Sequence, residues 1–197
     1  MRDAKRPPAA MSAREAVEAY EALPQGTPAA LLDGELHLLP RPKFLHLRVT
    51  SRLGGALDGP FDRGLAGPGG WIILDEPELH LGPRPDRLVP DLAGWRRERL
   101  TDPPETAAFR LAPDWVCEVL LPGGERFDRI KKARVYAREG VRHYWIIDPI
   151  AQTLEVLRNE SGQWLAVSSF AVEEGDLLIR AEPFDAIELE LDGLFRV

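Results

Sequence analysis

The chain has 197 residues, 44% hydrophobic and 29% charged, with a net charge of −7, which suits a globular core closed without disulfides or structural metal. A lone cysteine, Cys117, and four histidines exclude a zinc finger and point to a reducing, cytoplasmic setting. No apolar run nears the roughly 20 residues that span a bilayer, Met1 to Ala10 lacks the apolar centre of a signal peptide, and the acidic balance excludes a histone-like packager.

Met1 to Met11 is polar and proline-bearing and reads as a loose tail, leaving residues 12–197 as one domain. Ser12 with Glu15 three positions later predicts a capping box, and Ala16, Ala19, Tyr20 and Leu23 give the stripe of a short helix that Pro24 ends. Ala30 to Leu39 predicts a hairpin about Asp33-Gly34, since a type I′ turn needs positive φ at both central residues. Phe44 to Leu57 carries Leu45, Val49, Leu53 and Leu57 at spacing four, a helix face, with the glycines from Gly54 onward expected to break it into a loop. Trp71 to Leu81 and Arg87 to Trp95 read as two strands separated by Gly82-Pro83-Arg84-Pro85. Asp114 to Leu121 is nearly continuous apolar sequence, the mark of a central strand covered on both faces. A helix is expected from Arg126 to Glu139, stopped by Gly140, then a strand from His143 to Ile147. Thr153–Leu157, Trp164–Ser169, Leu177–Arg180 and Ile187–Leu191 alternate and predict an antiparallel β extension. The order gives a mixed α/β (α+β) sheet flanked by helices, and no Gly-x-Gly-x-x-Gly or P-loop string is present.

Two carboxylates stand out by their neighbours. Asp91 sits in Leu88-Val89-Pro90-Asp91-Leu92-Ala93, and Glu118 in Trp115-Val116-Cys117-Glu118-Val119-Leu120. A carboxylate among apolar neighbours costs several kcal/mol, roughly, unless a cation compensates it. Arginine ion pairs are one solution. A shared divalent ion is the other, and hard oxygen donors favour Mg²⁺ or Mn²⁺ over zinc.

Several strings together resemble a known family. They are Leu32-Asp33-Gly34-Glu35-Leu36, Val89-Pro90-Asp91-Leu92, Glu118-Val119-Leu120, Asp128 with Lys132 and Tyr136, and Gly140-Val141-Arg142-His143-Tyr144-Trp145-Ile146-Ile147-Asp148-Pro149. Their order and spacing are similar to those of the Uma-type restriction endonucleases, a branch of the PD-(D/E)XK nuclease superfamily. The resemblance implies a restriction-endonuclease-like fold and metal-dependent hydrolysis of phosphodiester bonds in DNA. It implies that Asp91, Glu118 and the Val119 carbonyl hold Mg²⁺ or Mn²⁺. It also implies that Lys132 replaces the lysine expected two residues after the Glu, where this chain has Leu120. On a helix wheel Lys132 lies beside Asp128, away from Phe127, Ile130, Ala133 and Ala137 and flanked by Val135 and Tyr136. It therefore reaches Glu118 only if that second side faces the sheet; otherwise Asp128–Lys132 is an exposed i,i+4 pair.

Glu35 is a further candidate for the metal shell. His46, with Lys43, Arg48 and Arg52, and Arg126, Arg129 and Lys131 form the candidate nucleic-acid-binding set, although a solvent-exposed His46 is the simpler expectation. A homodimer is compatible with the resemblance. The chain departs from the family at Leu121-Pro122-Gly123-Gly124, where Ser-Pro-Ser is usual, and at Ala30, where an acid is usual. Those departures keep open a second reading, a non-catalytic nuclease-fold domain that binds nucleic acid or a protein partner.

Overall fold

The computed structural model describes residues 11–83 and 86–196. The expected tail over residues 1–10 and part of the Gly82-Pro83-Arg84-Pro85 connection lie outside them. In chain order the elements are α1 (Ala13–Glu21), β1 (Ala29–Leu32), β2 (Glu35–Leu38), α2 (Phe44–Leu57), β3 (Trp71–Asp75), β4 (Glu78–Leu81), β5 (Asp86–Leu88) and β6 (Leu92–Arg96). Then follow β7 (Ala108–Phe109), β8 (Trp115–Val119), α3 (Ala133–Arg138), β9 (His143–Asp148), β10 (Thr153–Glu160), β11 (Gln163–Ala171), β12 (Leu178–Ile179), β13 (Leu189–Glu190) and α4 (Leu191–Phe195). Two π-helical stretches adjoin α-helices: Asp58–Asp62 continues α2, and Phe127–Lys132 leads into α3.

The six-stranded sheet has the order β11-β10-β9-β8-β6-β3, and β8 lies parallel to β9 while its other pairs are antiparallel. A five-stranded sheet, β2-β1-β5-β4-β7, stacks over part of it, and β12 and β13 form a separate ribbon. The central strand β8 is buried along its whole length, as its apolar run predicts. One face of the large sheet packs α2 and the C-terminal segment around Trp71, Trp115, Trp145 and Phe184. The other packs the small sheet and α3 around Trp95, Val116, Tyr136 and Tyr144. Strand alternation accordingly sends Cys117 into the first core and Glu118 toward the second.

The N-terminal signals hold in detail. Ser12 and Glu15 close the capping box, α1 stops at Glu21 just ahead of Pro24, and Asp33 and Gly34 take φ of 50° and 81° in the β1–β2 turn. Three boundaries differ. Gly54 and Gly55 do not break α2; they let it lie close to the sheet, where a Cβ on Gly54 would stand 3.5 Å from Leu92. The segment Trp71 to Leu81 is two strands in two sheets, and so is Arg87 to Trp95. Proline, which cannot donate to a ladder, marks both crossings: Pro77 beside Glu76 at φ 45°, and Pro90 beside Asp91. Finally, the last expected strand shortens to β13 and passes into α4.

Candidate active site

The site forms where the two sheets part. Leu92 pairs with Cys117, so Asp91, just past the Pro90 crossing, stands beside Glu118 at the end of β8. The backbone fixes this corner from both sides: the Glu76 N–H donates to the Asp91 carbonyl at 3.1 Å, and the Val119 N–H donates to Asp91 Oδ2 at 2.6 Å. His46, projecting from α2, brings its Nε2 to 3.1 Å from Asp91 Oδ1. The expectation of an exposed His46 is therefore overturned: its helix presses that face on the site, and the residue is 6% exposed.

The helical segment settles the orientation of Lys132. Its Asp128, Lys132, Val135 and Tyr136 side faces the sheet, while Ile130 of the more apolar-looking stripe is exposed. The reason is electrostatic. Lys132 Nζ donates to Glu118 Oε2 at 2.7 Å and lies 3.0 Å from Asp128 Oδ1, so the buried carboxylate of the strand is answered by the helix. Tyr136 completes the turn by donating its hydroxyl to Glu118 Oε1 at 2.6 Å. The Asp128–Lys132 pair is thus a buried bridge rather than a surface one.

Burial governs the titration of these groups. It raises Glu118 to about 8, Lys132 opposes that rise, and Asp128 and Asp91 add to it. Burial likewise raises Asp128 against the pull of Lys132. For Lys132 burial favours the neutral amine, but Glu118, Asp128 and Asp91 outweigh it, so its pKa is raised and the side chain stays a cation. Three carboxylates therefore share one buried lysine. A divalent cation of the Mg²⁺ or Mn²⁺ type would favour the ionised form of these carboxyl groups, and their hard oxygens, with the Val119 carbonyl adjacent, fit it. Among the described residues no three His, Cys, Asp or Glu side chains are drawn together as a preformed cage, so carboxylates, backbone and retained water would have to share the coordination.

These groups form the floor of a cavity of about 290 Å³. Its walls come from Tyr20, Thr27, Pro28, Leu39, Pro40 and Pro42 and from Leu121, Gly124 and Phe127. Glu35 does not reach this floor: it is exposed on edge strand β2 and pairs with Lys131 at 3.2 Å. The basic candidates are dispersed. Arg48 and Arg52 donate to the Arg196 carbonyl at the end of the chain, at 3.1 and 2.7 Å. Arg129 forms a two-point pair with Glu155 at 2.8 and 2.6 Å. Lys43 and Arg126 are exposed and form no ion pair among the described residues. Asp128 and Tyr136 belong to the site, although the sequence offers them only as neighbours of Lys132; their spacing of four from it was the available signal.

A mixed sheet flanked by helices, with an Asp, a Glu and a Lys converging at the end of its central strand, is the architecture of a nuclease-like fold. The chain belongs to the Uma2 family, described as "Putative restriction endonuclease", whose model matches residues 17–192. It is similar in structure to a putative nuclease from Anabaena variabilis, with a TM-score of 0.73 and 23% identity over 91% of this chain and 96% of that one. No curated protein matches it.

Proposed function

We propose that the protein is a metal-dependent endonuclease acting on phosphodiester bonds in DNA, with Asp91, Glu118 and Lys132 as its catalytic residues. The observation that carries this reading is the buried contact of Lys132 with Glu118 at 2.7 Å, across from Asp91, at the floor of an open cavity. Family membership supports the nuclease chemistry. Asp91, Glu118 and the Val119 carbonyl would hold Mg²⁺ or Mn²⁺, which supplies Lewis acidity toward a phosphoryl oxygen and a more acidic bound water.

The remaining steps belong to the chain itself. The Val119 N–H and His46 orient the Asp91 carboxylate, and Tyr136 and Lys132 hold the two oxygens of Glu118. Lys132, kept charged by its carboxylate neighbours, orients the attacking water and offsets negative charge developing on the phosphate. A lysine held in its charged form by neighbouring carboxylates is suited to that electrostatic role.

Calorimetry with Mn²⁺ and cleavage of labelled DNA test the proposal together. Binding should disappear in Asp91→Ala and in Glu118→Ala, and cleavage should require the metal. Unchanged Mn²⁺ binding in both variants would refute it. The second reading, a non-catalytic binding domain, draws on Ala30, which is fully buried in the core where the family usually has an acid. It also draws on Leu121 and Gly124, which line the cavity without hydroxyls. Metal binding without cleavage of any nucleic acid would favour it.

A further inference from the structure

The nuclease reading leaves open which form of nucleic acid reaches the floor of the cavity, and two independent observations bear on that. The first is depth. Glu118 is 2% exposed, Lys132 5% and the Asp91 side chain 14%, so the reacting phosphate must descend into the cavity and cannot be met at the surface. At about 290 Å³ the space lies at the low end of pockets that enclose single small molecules, roughly 300–1,000 Å³. It has room on the scale of one nucleotide and not of a stacked base pair. A phosphate in an intact duplex is held between stacked neighbours on a stiff rod, and drawing it inward requires unstacking that a single strand has already undergone.

The second observation is charge. A protein that grips a duplex does so with a track of cations, each neutralising a phosphate. Of the six Lys and Arg residues that the sequence nominates, Arg48 and Arg52 are used on the carbonyls of the chain's C-terminal end, Arg129 on Glu155, and Lys131 on Glu35. Lys43 and Arg126 remain. Both are exposed, and each is the sequence neighbour of a wall residue, Pro42 and Phe127 respectively, so each stands next to the cavity wall. The walls themselves carry Tyr20 and Phe127, two aromatic rings of the kind on which unstacked bases lie.

Building on the nuclease reading, we infer that the substrate is a single-stranded polynucleotide or a frayed strand end. One nucleotide enters the cavity, and Lys43 and Arg126 hold the phosphates on either side of it. Intact duplex is excluded by depth rather than by sequence.

The test compares, with Mn²⁺ and the full chain, a short single-stranded DNA, the RNA of the same sequence, the blunt duplex and a covalently closed duplex circle. Single strand should be cut on the order of a hundredfold faster than blunt duplex, which is what a few kcal/mol of unstacking amounts to. The two single-stranded arms show which sugar is accepted, and cleavage of either supports the inference. With two phosphate contacts, log kcat/KM should fall with log salt at a slope of about −1.4, whereas a six-contact duplex grip gives about −5. The double variant Lys43→Ala, Arg126→Ala should raise KM for the single strand and flatten that slope while keeping kcat. Nicking of the closed circle at the single-strand rate would overturn the inference and leave the nuclease reading standing; so would a slope near −5 or an unchanged KM in the double variant. Cleavage of no substrate would instead remove the nuclease reading and this inference with it.

Discussion

Replacing Lys132 by methionine keeps most of the volume of the stem and deletes its charge, which isolates the electrostatics of the site from its packing. In the wild type the ammonium lies 2.7 Å from Glu118 and 3.0 Å from Asp128, partners whose side chains are 2% and 12% exposed. An exposed pair of this geometry contributes about 0–1 kcal/mol, but removing one member of a buried pair costs about 3–5 kcal/mol, because the survivor is left charged and dry. The buried figure applies here. Urea unfolding of the metal-free protein, followed by tryptophan fluorescence, measures it through the shift in midpoint at constant m.

The pH dependence has a definite sign. Glu118 titrates at about 8 in the fold against an ordinary 4.5, so the metal-free wild type gains stability from this proton below 4.5 and loses it as pH rises through 8. In Lys132→Met the carboxylates neutralise more readily still, so the variant's deficit should be largest at the alkaline end and shrink in acid. Adding Glu118→Gln to Lys132→Met should recover part of the loss by removing the stranded charge. A deficit under about 1 kcal/mol at alkaline pH, equal to that of an exposed pair, would refute the burial argument.

Tyr136→Phe removes one hydrogen bond to a buried carboxyl and should cost about 1.5–3 kcal/mol in unfolding experiments, with Mn²⁺ affinity lowered as Glu118 loses its orientation. Lys132→Met should also lower cleavage about a hundredfold or more at saturating Mn²⁺, measured on single turnovers, because it deletes charge stabilisation at the transition state. Asp86, fully buried, accepts from the Asp33 N–H at 2.7 Å and pairs with Arg138; Asp86→Ala should cost about 3 kcal/mol, the low end for a buried pair because Arg138 is one third exposed. Arg129→Ala breaks a surface pair with Glu155 and should change stability by less than about 1 kcal/mol and leave the salt dependence of cleavage unaltered.

Much of the fold was legible because local chemistry and tertiary packing agree. The capping box at Ser12, the Asp33-Gly34 turn, the start of α2 at Phe44 and the buried run at β8 each depend on backbone geometry or burial that a few neighbouring residues encode. The sheet crossings were not legible. Pro77 and Pro90 announce interruptions, but nothing local says that the strands on either side join different sheets. The site follows the same division. Asp91 and Glu118 betray themselves by carrying charge among apolar residues, and Lys132 becomes interpretable through family resemblance. His46 could not be read that way, since its burial arises from the approach of α2 to the Pro90 crossing, a contact between segments 45 positions apart. Arg48 and Arg52 resemble a phosphate-binding row in sequence and turn out to hold the end of the chain.

The π-helical stretch from Phe127 to Lys132 has a further consequence, for how this family can change length. The Ala133 N–H reaches back five residues to the Asp128 carbonyl, one more than an α-helix requires, so the segment accommodates an additional residue between the acid and the lysine. Deleting any one of residues 129–131 would restore regular winding downstream. With that residue gone Asp128 would stand three positions before Lys132 and seven before Tyr136, spacings that still share one face of a regular helix. Substitutions at the exposed Ile130 or Lys131 leave that phase untouched. Descent through the gain or loss of one residue is therefore open to this helix as well as descent through point changes, and the distance in sequence from Asp128 to Tyr136 should differ by one between descendants with the π stretch and those without it.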